Sequence, residues 1–219
     1  MRVYISPSEQ EYNLYAVGDT TEEIQCHRIG EAAKAALERC GFEVKKAPFG
    51  QGAERNVEES NEWNADIHLC IHTNAGGGSG CVVFVSQTDE RHLQFAKPVY
   101  DAVGAITRAS ETYGVRSAKF FEIKFTTGLC VYVECEFHDN ALDAQWIIDH
   151  VGDIGEAICK GLCEGAGIAY VTPDTPEAPS EDVFYRVQVG AYRYRENADK
   201  MLEKLRGLGV DGFIVAVEK

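Results

Sequence analysis

Apolar residues in the first 168 positions follow two alternating kinds of pattern. Five short apolar runs have the length of buried strands and cover residues 3–5, 42–44, 67–71, 81–85 and 129–135. Between them, apolar residues recur at helical spacing in Glu22 to Cys40, in Leu93 to Ser110, and at Ile147, Val151, Ile154, Ile158 and Leu162. Strands separated by helices predict an α/β fold, with a mainly parallel sheet flanked by helices.

A proline-rich segment separates this region from the C-terminus. Three of the six prolines lie between Pro173 and Pro179, and the following residues 180–182 are polar or acidic. Each proline fixes φ and removes an amide donor, so an extended spacer is expected here. We therefore predict a first domain over residues 1–170, a linker over 171–182 and a small module over 183–219.

The module shows a compact β-α-β pattern. Its apolar residues predict a strand over 184–189, a helix over Glu196 to Arg206 and a second strand over 212–217. Fewer than 40 residues bury too little surface to form a stable core alone. The module is therefore expected to need a partner.

The charge of the chain excludes some classes of ligand. The formal net charge is −14, whereas polyanion binding needs clustered Lys and Arg, so we expect neither nucleic acid nor an anionic membrane surface as a partner. No apolar stretch reaches the ~18 residues of a membrane span. The first residues also lack the apolar run of a secretory signal. The expectation is a protein made in the cytoplasm without an export signal and not inserted into membranes.

Eight cysteines are scattered through apolar segments without a CxxC pair. A zinc–thiolate site normally shows closely spaced pairs of cysteines. In a protein made in the cytosol, we expect these residues to be reduced thiols in the core.

Two polar residues, one at the end of an apolar run and one within another, are candidates for ligand binding, because α/β sheets bind ligands at the carboxyl ends of their strands. His72 precedes the glycine-rich loop 76–80 and has the chemistry of a metal ligand or base, with a hydrogen-bonded core histidine as the alternative. His68 lies on the same strand face, about 13 Å from His72, and is expected to be structural.

Glu134 lies within an apolar strand, where a carboxylate must be paired, metal-linked or protonated. Glu136 lies farther out and is expected to be solvated.

Glu22 opens the first predicted helix, after Thr20 and Thr21. A carboxylate in a first helical turn complements the helix dipole, and either threonine is a suitable N-cap. This structural role is the alternative to a functional one.

Taken together, four pieces of residues 1–168 resemble the zinc-dependent N-acetylmuramoyl-L-alanine amidases of the amidase_3 type. They are Ile5-Ser6-Pro7-Ser8, the helix-opening Glu22, Ile71-His72-Thr73-Asn74-Ala75, and Val133-Glu134-Cys135-Glu136-Phe137-His138-Asp139-Asn140. The resemblance implies that His72 and Glu22 are zinc (Zn²⁺) ligands and that Glu134 is the catalytic base. It also implies that Asn74 and Asn140 bind substrate.

The first loop departs from the family pattern. The family usually reads Asp-Pro-Gly-His-Gly there, and its histidine is the remaining zinc ligand. This chain reads Ser6-Pro7-Ser8-Glu9-Gln10, so Glu9 or Gln10 takes that place. Glu9 is the stronger ligand chemically, and Gln10 offers a carbonyl oxygen. His138 or His27 are further candidates for a replacement imidazole.

The resemblance implies hydrolysis of the amide bond between N-acetylmuramic acid and the first L-alanine of the peptidoglycan stem peptide. Zinc would activate the attacking water, and Glu134 would accept its proton. The altered loop favours an alternative, a catalytically weak or inactive peptidoglycan-binding protein. A zinc peptidase or deacetylase is disfavoured because the sequence has no HExxH motif.

The C-terminal module resembles the opening of a SPOR repeat, through residues 185–192 and 196–199. SPOR domains bind glycan strands of the cell wall, so Tyr192, Arg193 and Tyr194 are candidates for stacking on sugars, with packing in a dimer core as the alternative. Since a SPOR domain is a double β-α-β, we expect two copies of residues 183–219 to pair. An enzyme without an export signal would reach the wall after release, either as a phage endolysin or during mother-cell lysis in sporulation.

Overall fold

A computed structural model describes residues 1–108, 113–173, 189–210 and 212–216 of the chain. Backbone contacts divide the chain into two units, Met1–Pro173 and Asp174–Lys219. Among the described residues, none of the helices is long and apolar enough to span a bilayer.

The N-terminal unit contains a six-stranded sheet. Its strands are β1 (Arg2–Pro7), β2 (Glu43–Lys46), β3 (Ile67–Asn74), β4 (Val82–Val85), β5 (Val115–Ser117) and β6 (Leu129–Phe137). Their order across the sheet is β2-β1-β3-β6-β4-β5. The first four strands in this order run parallel; β4 is antiparallel to β6, and β5 is parallel to β4. The predicted α/β fold with a mainly parallel sheet is confirmed.

Helices cover both faces of the sheet. On one face, α1 (Glu22–Arg39), α3 (Glu90–Gly104) and α6 (Val151–Ala166) pack on the main apolar core. On the other, α2 (Ala53–Glu62) and α4 (Phe121–Phe125) lie against β1 and β6. A further helix, α5 (Ala141–Asp149), follows β6. The alternation of β3 sends Leu69 and Ile71 into the main core, so His68, Cys70 and His72 lie on the face of α2 and α4.

Close contacts of α6 with its neighbours depend on glycine. A Cβ at Gly155 would lie 2.6 Å from the backbone nitrogen of Ala33 in α1. A Cβ at Gly161 would lie 2.4 Å from Cα of Val99 in α3. These two glycines let α6 pack between the two other helices of this face.

Some elements differ from the expected ones. The last predicted helical face is divided between α5 and α6, which are separated at His150. Pro98 lies inside α3, which ends at Gly104. The apolar pattern of the sequence does not predict α2. Its buried residues are Val57 and otherwise polar residues, so the helix has no apolar face.

The C-terminal unit contains α7 (Arg195–Gly207), which confirms the predicted helix. Residues 212–216 of the second predicted strand pair with no strand in the described part of the chain. A strand requires a partner to which it can hydrogen-bond. Residues 184–188 of the first predicted strand lie outside the described residues. Residues 174–182 of the predicted linker also lie outside them.

Candidate functional site

The side chains of His72, Glu134 and Glu22 lie together near the carboxyl ends of the two central strands. His72 on β3 and Glu134 on β6 are direct neighbours in the strand register. Glu22 is the first residue of α1, and Thr21 is the N-cap that accepts a hydrogen bond from the Ile24 N–H at 3.3 Å. The Glu22 Oε1 atom lies 2.9 Å from His72 Nδ1. The fold therefore joins residues that are far apart in the sequence.

Glu22 and His72 form a buried acid–base pair. Burial raises the pKa of the Glu22 carboxyl, but hydrogen bonds from His72, Asn13 and Ser8 bring that pKa below its ordinary value. Burial lowers the pKa of His72, and the contact with Glu22 and the charge of Glu134 more than offset this, so the His72 pKa is raised. The His72 ring also stacks on Tyr132, with ring centroids 4.4 Å apart. These contacts fix the imidazole in place.

Glu134 has a buried oxygen, Oε2, without a hydrogen-bond partner among the described residues. Burial raises the pKa of the Glu134 carboxyl to about 7, with the charge of His72 opposing the rise and that of Glu22 adding to it. A carboxyl group with this pKa accepts and releases protons near neutral pH. Its free oxygen and its position beside His72 suit a general base.

Gln10 in the first loop contacts the His72 ring of this pair. Its Nε2 atom lies 3.4 Å from His72 Nδ1. Asn13 donates to Gln10 Oε1 at 2.8 Å and to Glu22 Oε2 at 2.7 Å, which links the loop to α1. Glu9 instead accepts from the Ala53 N–H and lines a neighbouring cavity.

The two other histidines considered from the sequence are engaged elsewhere. The Nδ1 atom of His138 lies 3.8 Å from Glu22 Oε2, but it also lies 3.0 Å from Thr73 Oγ1. The Nδ1 atom of His27 lies 3.0 Å from Lys46 Nζ. Within the described part of the chain, no third His, Cys, Asp or Glu groups its donor atom with those of Glu22 and His72 to within 4.8 Å.

The residues present fit a divalent metal ion through two strong donors. Glu22 and His72 supply a carboxylate and an imidazole, which are ordinary zinc ligands. Gln10 turns its amide nitrogen toward His72 and its oxygen toward Asn13, so its carbonyl oxygen becomes a third ligand only after the amide turns over. The partnerless carboxylate oxygen of Glu134 beside them is consistent with a cation or water in this place.

A cavity of about 170 Å³ opens beside His72. Its wall includes Glu9, Gln10, His72, Phe120, Phe121, Glu122 and Tyr132. Phe120 and Phe121 are 41% and 42% exposed, which gives the cavity an apolar rim. A cavity of this kind next to perturbed titratable groups is the expected place for a ligand.

Glu122 is a buried residue of this region that the sequence analysis missed. Its carboxylate accepts hydrogen bonds from Ser6 and Cys70 and contacts the Nε2 atom of His68 at 3.2 Å. Burial raises the pKa of Glu122, and these contacts, led by His68, bring it below the ordinary value. The predicted structural role of His68 is therefore the anchoring of this carboxylate. The signal in the sequence that could have indicated Glu122 is a single carboxylate among the aromatic residues of α4.

The remaining candidate residues from the sequence are Asn140, Asn74, Tyr192, Arg193 and Tyr194. Asn140 is the N-cap of α5, accepting from the Leu142 N–H at 3.0 Å and donating to the Gly78 carbonyl at 3.2 Å. Asn74 ends β3 and accepts from the Ala75 N–H at 2.9 Å. In the C-terminal unit, Tyr192, Arg193 and Tyr194 are exposed, and Tyr194 directly precedes α7.

The expectation that Glu136 is solvated is wrong. Its side chain is fully buried, and it accepts a hydrogen bond from the Gly80 N–H. The register of β3 and β6 shifts between His72 and Asn74, and the glycine loop covers the strand end. Strand alternation alone does not anticipate that cover.

Comparison with protein families defines the class of protein to which this fold and site belong. The family model of the amidase_3 N-acetylmuramoyl-L-alanine amidases matches residues 3–164, and that of the SPOR domain matches residues 164–219. The chain belongs to the amidase_3 family and carries a C-terminal SPOR domain match.

Two curated relatives resemble this chain. N-acetylmuramoyl-L-alanine amidase CwlM of Bacillus licheniformis is 26% identical over 175 residues, which are 74% of this chain and 61% of CwlM. A sporulation-specific N-acetylmuramoyl-L-alanine amidase of Bacillus subtilis is 25% identical over 161 residues, 71% of this chain and 59% of the relative. The chain thus spans about three fifths of the length of these relatives.

Solved structures share the fold. The amidase AmiC2 of Nostoc punctiforme superposes with a TM-score of 0.69 at 20% identity, covering 76% of this chain and 97% of AmiC2. An N-acetylmuramoyl-L-alanine amidase of Clostridium difficile superposes with a TM-score of 0.69 at 16% identity, covering 76% of this chain and 96% of that structure.

Proposed function

We propose that this protein is a peptidoglycan hydrolase that cleaves the amide bond between N-acetylmuramic acid and the L-alanine of the stem peptide. Membership of the amidase_3 family supports the reaction class. The observation that carries the proposal is the partnerless carboxylate oxygen of Glu134 beside the Glu22–His72 pair. In this arrangement Glu134 would be the base, and Glu22 and His72 would bind the cation, near the carboxyl ends of β3 and β6.

Glu22 and His72 would hold a zinc ion, and the Gln10 carbonyl oxygen would be the third protein donor once its amide turns away from Asn13. When bound, zinc supplies a positive charge that acidifies a water molecule and polarises the scissile carbonyl. Asn13 donates to both Gln10 and Glu22 and so holds the first loop next to the start of α1. Tyr132 fixes the orientation of the His72 ring by stacking.

Glu134 would carry the proton during the reaction. Its carboxylate takes a proton from the attacking water and later gives it to the departing amine of L-alanine. The reaction adds water across one amide bond and needs no covalent acyl-enzyme. Burial of Glu134 keeps its pKa near neutrality, so both transfers are possible at physiological pH.

Incubation of purified cell walls with the full chain tests this proposal. New N-terminal L-alanine should appear as the walls clear, in a zinc-dependent manner. Clearing without new L-alanine amino groups would contradict the cleavage of this bond.

A second candidate function is a peptidoglycan-binding protein with weak or no hydrolysis. The observation that favours it is Gln10 beside His72, since an amide is a weaker zinc ligand than an imidazole. Sedimentation with cell walls in the absence of lysis and of bound zinc would favour this function over the first.

The SPOR match and the exposed Tyr192, Arg193 and Tyr194 support binding of the C-terminal unit to wall glycans. We further propose that residues 183–219 pair with a second copy, because one β-α-β is half of a SPOR domain. The proposed site of action is the bacterial cell wall.

A further inference from the structure

Three buried cysteines converge near the C-terminal end of α1, far from the candidate active site. Cys40 is the C-cap of α1, and Cys159 and Cys163 lie one turn apart on α6. Glu22 lies at the other end of α1, roughly 27 Å away by helix rise. The Sγ atom of Cys159 lies 3.6 Å from that of Cys40 and 3.9 Å from that of Cys163. All three sulfurs lie within 4.8 Å of one another.

These separations are those of sulfurs around one metal ion. At a zinc–sulfur distance of ~2.3 Å, tetrahedral geometry places two ligand sulfurs ~3.8 Å apart. The two measured separations lie on either side of this value. The three thiols are thus already close to one face of a zinc tetrahedron.

Two polar groups lie beside the cysteine cluster. The Val171 N–H donates to Cys40 Sγ at 3.3 Å, and amide hydrogen bonds to sulfur are typical of metal–thiolate sites. Arg39, next to Cys40 in the sequence, donates to the Val171 carbonyl at 3.0 Å and forms an ion pair with Glu156. The cluster therefore has an amide donor and a salt-bridged guanidinium beside it.

We propose that Cys40, Cys159 and Cys163 bind a zinc-type divalent ion as thiolates, separately from the candidate active site. Three S–H bonds break, their protons pass to solvent, and three metal–sulfur bonds form. A water molecule completes four-coordination, because no fourth His, Cys, Asp or Glu joins this group in the described residues. The ion would fasten α1 to α6 and to the segment that contains Val171.

Cobalt(II) provides a direct test, since thiolate ligands give it near-ultraviolet charge-transfer absorption. The full chain, freed of metal by a chelator under reducing conditions, is titrated with cobalt(II). We expect a saturable thiolate band that zinc abolishes. The Cys159→Ser and Cys163→Ser variants should lose the band and bind one equivalent less metal.

Two controls separate this site from others. Cys70→Ser alters the cysteine beside His68 and Glu122, and Cys81→Ser alters a cysteine that donates to the Tyr100 carbonyl. Both variants should keep the band. In the unmodified chain, a mercurial reagent should release the bound zinc, which tests the proposal even where a variant fails to fold. Absence of a thiolate band, its persistence in both cluster variants, or binding of copper(I) alone would each overturn the proposal.

Discussion

The side-chain amide of Gln10 lies 3.4 Å from Nδ1 of His72, in the loop where amidase_3 sequences usually carry a histidine. Glu9, the neighbour with the chemically stronger donor, lines the adjacent cavity instead. The loop thus places an amide, and not a carboxylate, next to the Glu22–His72 pair. The affinity for zinc should therefore depend on which residue, Gln10 or Glu9, lies next to His72.

Replacing Gln10 by histidine should strengthen zinc binding. An imidazole is a better zinc donor than an amide, so we expect at least a ~10-fold gain in affinity. The measurement is competition with a chromophoric chelator. Glu9→His is the matched control and should give a smaller gain. A larger gain from Glu9→His would assign the third donor to Glu9.

Replacing Glu134 by glutamine should abolish most of the hydrolysis. Loss of a positioned base lowers rates by about 10²–10⁴-fold, while Glu22 and His72 remain able to hold zinc. Release of L-alanine amino groups from cell walls measures the rate, and calorimetry measures zinc affinity. The exposed Glu90→Gln is the control and should leave both values unchanged. Normal lysis by Glu134→Gln would remove this residue from the chemistry.

Replacing Glu122 by alanine should destabilise the N-terminal unit. The substitution leaves the buried donors of Ser6, His68 and Cys70 without their carboxylate partner, at a cost of about 2–3 kcal/mol. Urea unfolding followed by circular dichroism provides the value. The exposed Glu58→Ala, which loses an ion pair with Arg55, should cost less than about 1 kcal/mol. Equal costs for the two variants would argue against the network.

Stability should fall as pH rises through neutrality because of Glu136. Burial raises the pKa of its carboxyl from 4.5 to about 7, with Asp143 adding to the rise and the Gly80 N–H opposing it. The folded state thus favours the protonated form, whose stabilising contribution is complete below the unfolded pKa and lost above the folded one. Glu136→Gln, which mimics the protonated form, should reduce this pH dependence to the part that Glu134, whose pKa is also raised to about 7, contributes. Unfolding midpoints at pH values from about 5 to 9 measure the effect, and an unchanged slope would contradict it.

Removing the C-terminal unit should convert a dimer into a monomer. A chain truncated after Pro173 keeps the N-terminal unit as the structure divides it. Light scattering should show twice the chain mass for the full protein and a single chain mass for the truncated one. A dimer that survives truncation would locate the pairing outside residues 183–219.

The main elements of the fold follow from local patterns in the sequence. Apolar runs and helical spacing predict β3, β6, α1 and α7, since each buries a continuous run or one regular face. The polar α2 and the short α4 carry no such pattern, because neighbouring elements decide their burial. The antiparallel direction of β4 likewise depends on pairing with β6, which no local pattern encodes.

The sequence indicates the chemistry available to His72 and Glu134, because a strand end and an apolar strand are recognisable places for such side chains. For Glu22 a first helical turn indicates a structural role, and its predicted role as a ligand came from the resemblance to the amidase family. Only the tertiary structure decided that Gln10 and not Glu9 meets His72, that Glu122 joins His68 and Cys70, and that Glu136 is buried. The same holds for Cys40 and Cys159, which are 119 residues apart in the sequence and 3.6 Å apart between their sulfurs. The reason is physical: residue type and local spacing fix what a side chain can do, whereas the packing of distant elements fixes which side chains meet.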